Sequence, residues 1–445
     1  MLALRSSSVS AYFGSWLLIT LGNSHAPATA YTPTALTAPI PHRFHRIAIP
    51  NNLHYFYVTG NSIIDAMKAE LEPFHAIAIS KQAHALKAEG RSIIHMEFGQ
   101  PSTGAPQAAI AKAHAVLDAE SMGYWESAPL KQRLAQFYTE RYGVTVDADQ
   151  FILTCGASPA LVLALSSMFS PGDRIAMARP GYVAYRNTLK ALHMEPVEIA
   201  CGAAVGFQLT AAALAAVEPT PQGVIIASPA NPTGTLIKAD ELQAIVQVCR
   251  ERGIQIISDE IYHGLSYVEP AQTILAYEPQ ALVVSSFSKY FSMAGWRLGW
   301  LLAPHAHVER AQAYCGNLFL TAPSLSQHAG LAAFDALDEL DGHINVYREN
   351  RRLLLAALPE LGLTTVAPPD GAFYIYASIA HLTNDSLAFC KRLLQDTGIA
   401  SAPGIDFDPV DGKYFIRFSF AVSTAEIEEA IRRLKPWFAA QPRKA

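Results

Sequence analysis

Ser286 to Trp300 reads SFSKYFSMAGWRLGW and follows Ala281 to Val284, an apolar run of the kind that a buried parallel strand presents. Lys289 therefore stands just past the end of a strand, directly after Ser288 and ahead of Arg297. Ser286 and Ser288 supply hydroxyls, Arg297 supplies a fixed fork of donors suited to a phosphate, and Gly295 and Gly299 let the backbone turn closely. Together they place an amine beside an anion site, as a nucleophilic lysine needs when its carbonyl partner is anchored by a phosphate.

Working outward, short β-branched runs alternate with helical segments from Gln150 onward. The runs are Gln150 to Thr154, Arg174 to Ala178, Gly223 to Ser228, Ile254 to Ser258 and Ala281 to Val284. This alternation predicts an α/β fold, a three-layer mostly parallel sheet covered on both faces. After the first strand, Gly156-Ala157-Ser158 opens an apolar helix, so free N–H groups and the positive helix end face the space above the sheet as a phosphate seat. After the second comes Arg179-Pro180-Gly181-Tyr182, with Tyr182 able to lie against a flat heterocycle. After the third, the prolines and glycine of Ser228-Pro229-Ala230-Asn231-Pro232-Thr233-Gly234 fix Asn231 rigidly. The fourth ends in Asp259-Glu260-Ile261-Tyr262. Any one of these is an ordinary polar strand end. In succession they describe one site, because ligands in open α/β sheets bind outside the carboxyl ends of the strands.

Elsewhere, Pro73 to Lys87 has helical spacing, and Ser92 to Phe98 reads as a strand running into Gly99-Gln100-Pro101. Ala303 to Leu358 is mostly helical in pattern. It is followed by a strand from Gly371 to Tyr376, a helix from Ser386 to Thr397 and a strand from Tyr414 to Phe420 that carries Arg417. A guanidinium among so many Phe and Ile residues needs an anionic partner, either an internal carboxylate or a ligand.

The Ser-x-Ser-Lys of 286–289 and the Gly-x-Arg-x-Gly-Trp of 295–300 resemble the signature of fold-type I, class I/II aminotransferases, and the likeness runs from about Glu70 to Trp437. It implies pyridoxal 5'-phosphate as cofactor, with Lys289 as the Schiff-base lysine, Asp259 paired with the pyridine nitrogen, and Asn231 and Tyr262 on the ring's phenolic oxygen. Tyr182 would stack on the ring, and Ala157, Ser158, Ser286 and Arg297 would hold the phosphate. Lys289, Asp259 and Tyr262 form the implied catalytic set. Gly99 would let the backbone approach the substrate carboxylate, which Arg417, in Arg417-Phe418-Ser419-Phe420-Ala421, would clamp with Asn231 nearby. Tyr124 would reach across a homodimer to the partner's cofactor phosphate, although Pro129 replaces the glycine of the family's Tyr-x-x-x-x-Gly. The implied domains are a large one over 111–349 and a smaller α+β one built from both chain ends, 67–110 and 350–445.

The activity so implied is a ping-pong transfer of an amino group between an L-amino acid and a 2-oxo acid. A free lysine titrates near ~10.4, so Lys289 must be desolvated or set beside positive charge to react at neutral pH. A fold-type I lyase or decarboxylase would share every cofactor residue and is the alternative. Some relatives selective for acidic donors place a lysine where this chain has Ser158. Neutral and aromatic donors are open, as is aspartate through an arginine from the partner subunit.

The totals agree with a large soluble enzyme: 445 residues, 51% hydrophobic and 16% charged, with a net charge of -5 that gives no reason to expect nucleic acid. Five single cysteines form no Cys-x-x-Cys pair, so neither a disulfide framework nor a metal site is expected, and a reducing, cytoplasmic setting follows. No Gly-x-Gly-x-x-Gly links a strand to a helix, which argues against a nicotinamide enzyme. Residues 1–66 differ from the rest: no acidic residue precedes Asp65, and the apolar run Ala11 to Leu21 is too short to span a bilayer. This extension reads as a targeting segment, a disordered tail, or sequence upstream of a start near Met67.

Overall fold

In the computed structural model, Val224, Ile225 and Ile226 are all buried yet serve opposite sides of a sheet. Ile225 packs with Ile175, Ile257 and Leu301 against the helix Ala157–Met168, whereas Val224 and Ile226 pack with Ile256 and Val283 toward the helix Ala239–Arg252. A strand covered on both faces needs an apolar side chain at every position, which is why these runs read as continuous.

The structure describes residues 44–45, 58–59 and 69–442. The chain divides into two units, Met1–Glu70 and Leu71–Ala445. In the first, β1 (Phe44–His45) pairs antiparallel with β2 (Val58–Thr59). Apart from that pair, the readings of residues 1–66, including a start at Met67, lie outside the described residues.

The strands of the second unit begin with β3 (Ile94–Met96) and continue through β4 (Phe151–Thr154), β5 (Arg174–Arg179), β6 (Glu195–Ala200), β7 (Gly223–Ala227), β8 (Gln255–Asp259), β9 (Leu282–Ser286) and β10 (Gly299–Leu302). It then adds β11 (Tyr374–Ser378), β12 (Ile399–Pro403) and β13 (Phe415–Ser419). Seven of these strands form one sheet in the order β4-β10-β9-β8-β7-β5-β6. Only β10 opposes the others, pairing antiparallel with both β4 and β9, so β4, β5, β7, β8 and β9 end at one edge. The other four strands form a separate sheet, β11-β13-β12-β3.

The five expected large-sheet strands are present within a residue or two. Two more, β6 and β10, were not expected. Strand β6, Glu-Pro-Val-Glu-Ile-Ala, lies at the sheet edge with one neighbour, where prolines and charges are tolerated. Strand β10 is the tail of the lysine loop folded back between β4 and β9. The first helix spans His75–Ala88, two residues later than its spacing suggests. There the Asp406 carboxylate accepts the N–H groups of His75 and Ala76, both at 2.8 Å, and so fixes the helix start. The strand expected from Gly371 begins instead at Tyr374, because Ala372 turns through a positive φ of 54°.

Candidate active site

The carboxyl ends of β4, β5, β7, β8 and β9 surround a cavity of about 350 Å³. Its wall includes Ala157 and Ser158 from the helix after β4, Tyr182 after β5, Asn231 after β7, Asp259 at the end of β8 with Tyr262 beyond it, and Lys289 and Arg297 after β9. The second sheet and its approaches contribute Gly99, Tyr374 and Arg417. The structure thus brings together ten of the twelve expected site residues in one wall.

Lys289 is the only lysine lining the cavity among the described residues, and its Nζ donates to the Gly99 carbonyl. Burial and the nearby Arg417 and Arg297 guanidinium groups, opposed by Asp259, lower its pKa from 10.5 to about 8. Asp259 is 7% exposed; Tyr185 donates to its Oδ2 at 2.5 Å and the Ile261 N–H to its Oδ1 at 3.1 Å. Burial pushes this carboxyl upward against the pull of those two bonds, so a cation placed beside it would be favoured. The Tyr262 and Tyr374 hydroxyls meet at 2.5 Å.

Arg417, 1% exposed, lies between the rings of Tyr374 and Phe407, 4.5 and 4.7 Å from their centroids. It donates to Asn231 Oδ1 at 2.9 Å and to the Glu97 carbonyl, and its Nε has no partner. Among the described residues no carboxylate forms an ion pair with it, so the internal salt bridge raised as one reading of Arg417 is absent. A buried, uncompensated guanidinium that opens on a cavity is built to receive an anion.

At the opposite end, Arg297 adopts a left-handed φ of 54° and donates to the carbonyls of Ala294 at 3.0 Å and Cys155 at 2.9 Å. Gly156 precedes the helix Ala157–Met168 at φ 104°, and a Cβ there would lie 2.5 Å from Arg297 Nη2. Glycine is thus required both for the backbone turn and for the close approach of the guanidinium. Free helix N–H groups and a cationic fork together fit a phosphate.

Two expected residues lie elsewhere. Ser286 is buried at the end of β9, where its Oγ accepts the Ser288 N–H at 3.1 Å, and Ser288 lines the cavity in its place. Tyr124 is 86% exposed and does not line this chain's cavity. Pro129 sits in the first turn of the helix Ala128–Tyr142, where its missing N–H costs nothing, and Ser127 caps that helix by accepting the Leu130 N–H at 3.2 Å. Residues 91–434 match the family model described as aminotransferase class I and II.

The chain belongs to the class I and II aminotransferases. It is 45% identical over 383 residues to the valine–pyruvate aminotransferase of Mycobacterium tuberculosis, an alignment spanning 84% of this chain and 99% of that one. It is 31% identical to the (5-formylfuran-3-yl)methyl phosphate transaminase of Methanocaldococcus jannaschii, over 82% and 96% of the two chains. A solved aminotransferase from Mycobacterium tuberculosis superposes with a TM-score of 0.82 at 44% identity, covering 84% of this chain and 99% of its own. The Thermus thermophilus aspartate aminotransferase with maleate gives 0.77 at 25% identity, over 84% and 98%. The chain is therefore a pyridoxal-phosphate-dependent transaminase of the fold-type I architecture.

Several wall residues of this aminotransferase escape the sequence reading: Phe74, Gln100, Tyr185 and Tyr374. Tyr185 follows Tyr182 by three positions, one helical turn, and that spacing is the signal that places both on one face. Phe74 is delivered by a tethered strap. Asn187 pairs with both backbone groups of Glu72, at 3.1 and 2.9 Å, while Arg186 and Lys190 hold its carboxylate at 2.9 and 2.8 Å.

Proposed function

We propose that this aminotransferase takes neutral aliphatic L-amino acids as donors and a small 2-oxo acid such as pyruvate as acceptor. The observation that carries the donor class is the cavity wall: among the described residues of this chain, it contains no cationic side chain beyond Lys289, Arg297 and Arg417 to hold a second substrate carboxylate. The name of the relative at 45% identity, a valine–pyruvate aminotransferase, supports the same reading. Purified holoenzyme mixed with single amino acids tests it, through loss of the cofactor's absorbance in the half-reaction. Valine and alanine should react readily, and a faster reaction with aspartate would overturn the donor class.

In this reading Arg417 and Asn231 hold the α-carboxylate and the Gly99 backbone closes on it. A Cβ at Gly99 would lie 1.6 Å from the Tyr374 hydroxyl, so only glycine leaves that approach open. Asp259 would hold the proton on the pyridine nitrogen, and Arg297, Ser158 and the helix N–H groups would hold the phosphate, with Ser286 supporting the loop through Ser288. Tyr182 would cover the ring face, and Asn231 and Tyr262 would address the phenolic oxygen. Pyridoxal phosphate, when bound, supplies the aldehyde and the electron-accepting ring. Lys289 Nζ then takes the proton from the substrate Cα. Because burial and Arg417 favour the neutral amine, covalent capture of pyridoxal phosphate by apoprotein should rise with pH and level off above about 8, well below the ordinary 10.5. A capture rate still climbing at the ordinary value would contradict the assigned environment.

Tyr185 steadies Asp259, so Tyr185→Phe should weaken cofactor retention about tenfold, the worth of one hydrogen bond to a charged group. Dialysis against cofactor-free buffer reads this loss.

The exposure of Tyr124 supports a homodimer in which each Tyr124 serves the partner's phosphate site. The separate four-stranded sheet supports a small domain over 67–110 and 350–445 set against a large one over 111–349. Among the described residues no helix is long and apolar enough to cross a membrane, and all five cysteines are free, which supports work in the cytoplasm.

A further inference from the structure

Asp259 and Glu260 are consecutive, both buried, and directed to different places: Asp259 lines the active-site cavity, whereas Glu260 faces a small void under the sheet lined by Tyr138, Tyr142, Phe291 and Trp300. Glu260 Oε1 is fully engaged, accepting from Ser258 Oγ at 3.2 Å, Thr273 Oγ1 at 3.0 Å and the Ile274 N–H at 2.9 Å. Oε2 has no hydrogen-bond partner and lies 3.5 Å from Nδ1 of His263.

The tautomer of His263 follows from its other contacts. Its Nε2 is 3.0 Å from the Ser228 carbonyl, which can only accept, so Nε2 carries a hydrogen. In a neutral imidazole Nδ1 is then an acceptor only, and the Tyr142 hydroxyl donates to it at 2.9 Å. An ionised Glu260 would leave a buried, unpartnered carboxylate oxygen facing an imidazole nitrogen that has no hydrogen to offer it. A proton on either atom removes the conflict and leaves the pair neutral.

We propose that Glu260 and His263 hold one proton between them and act as a positioning pair, keeping Asp259 the single net anion at the end of β8 and fixing the carbonyl from which the Asn231 loop departs. The second part rests on the reading of Asp259 as partner of the ring nitrogen. Two adjacent buried carboxylates cannot both ionise cheaply, so neutrality at Glu260 is what allows charge at Asp259. The charged and titratable groups facing the pair are Tyr138, Tyr142 and Arg141 from the helix Ala128–Tyr142, Tyr290 from the lysine loop, and Asp259 itself. Burial, with Asp259 beside it, lifts Glu260 to about 7, while burial and Arg141 lower His263 to about 3, which puts the shared proton on Glu260 below about pH 7.

Thermal unfolding of the apoprotein tests the shared proton without any reliance on the cofactor. Glu260→Gln keeps an oxygen for the three donors and offers an N–H to Nδ1, imitating the protonated acid. The folded wild type retains a proton that the unfolded chain releases, so wild type should lose stability relative to E260Q as pH rises from 4.5 to about 7. Above that window the gap should stay constant. A gap that does not change with pH there means Glu260 is already ionised in the fold, and overturns the proposal.

Positioning is read from the holoenzyme. E260Q should hold pyridoxal phosphate within about threefold of wild type. His263→Phe, which loses the bond to Ser228, should hold it about tenfold more weakly, and His263→Gln should recover part of that loss. Equal retention by all four proteins removes the positioning role. Wild type that binds no pyridoxal phosphate at all instead removes the assignment of Asp259, and the unfolding comparison still decides the shared proton.

Discussion

Lys289→Ala should lower kcat by roughly 10⁴-fold while the protein still takes up pyridoxal phosphate without a covalent link. No other lysine lines the cavity among the described residues, so no neighbouring amine can take over either the bond to the cofactor or the transfer of the Cα proton. The phosphate seat at Gly156 and Arg297 and the carboxylate of Asp259 are untouched by the change and should keep the cofactor in place. Borohydride treatment followed by peptide mapping should mark Lys289 in the wild type and nothing in the variant. Turnover surviving at a tenth of the wild-type rate would mean that another group moves the proton.

Arg417→Leu is the second large effect. Removing one partner of a buried charge pair costs about 2 to 5 kcal/mol, so kcat/KM for the amino donor should fall roughly 30- to 4000-fold. The loss should sit mainly in KM, because in the proposed role the guanidinium would hold the substrate carboxylate and would not touch the breaking bond. Lysine should rescue poorly: the site sets two nitrogens of one planar fork on Asn231 and the Glu97 carbonyl, and a single ammonium cannot reproduce that geometry. Steady-state kinetics on the two variants with one neutral donor decide the matter. A wild-type KM in the leucine variant would assign Arg417 to architecture alone.

The strands that carry the cofactor-facing residues were legible because each is buried on both faces and reads as an unbroken apolar run, as Val224 to Ile226 illustrates. Their polar ends were legible for the complementary reason, that a charge or amide directly after such a run must meet a ligand or water. Strand β6 was hidden because an edge strand has only one partner and so tolerates Glu195, Pro196 and Glu198. Strand β12 was hidden because Ile-Ala-Ser-Ala-Pro has a single β-branched residue and ends in a proline. Within the site, Lys289, Asp259, Asn231 and Arg417 follow from local sequence. Tyr374 does not, since its place beside Tyr262 depends on the second sheet meeting the first. Ser286 and Ser288 differ only in which side of the strand end they occupy, and the motif contains both.

The strap through Glu72 sets a limit on trimming the front of the polypeptide. Phe74 forms part of the compartment that receives the amino acid, and it is tied down by contacts that begin only two residues earlier. A shortened chain that starts ahead of Leu71 retains both the tether and the aromatic ring. One that starts beyond Phe74 lacks a panel of its own reaction chamber, so the position of the first residue bears directly on catalysis.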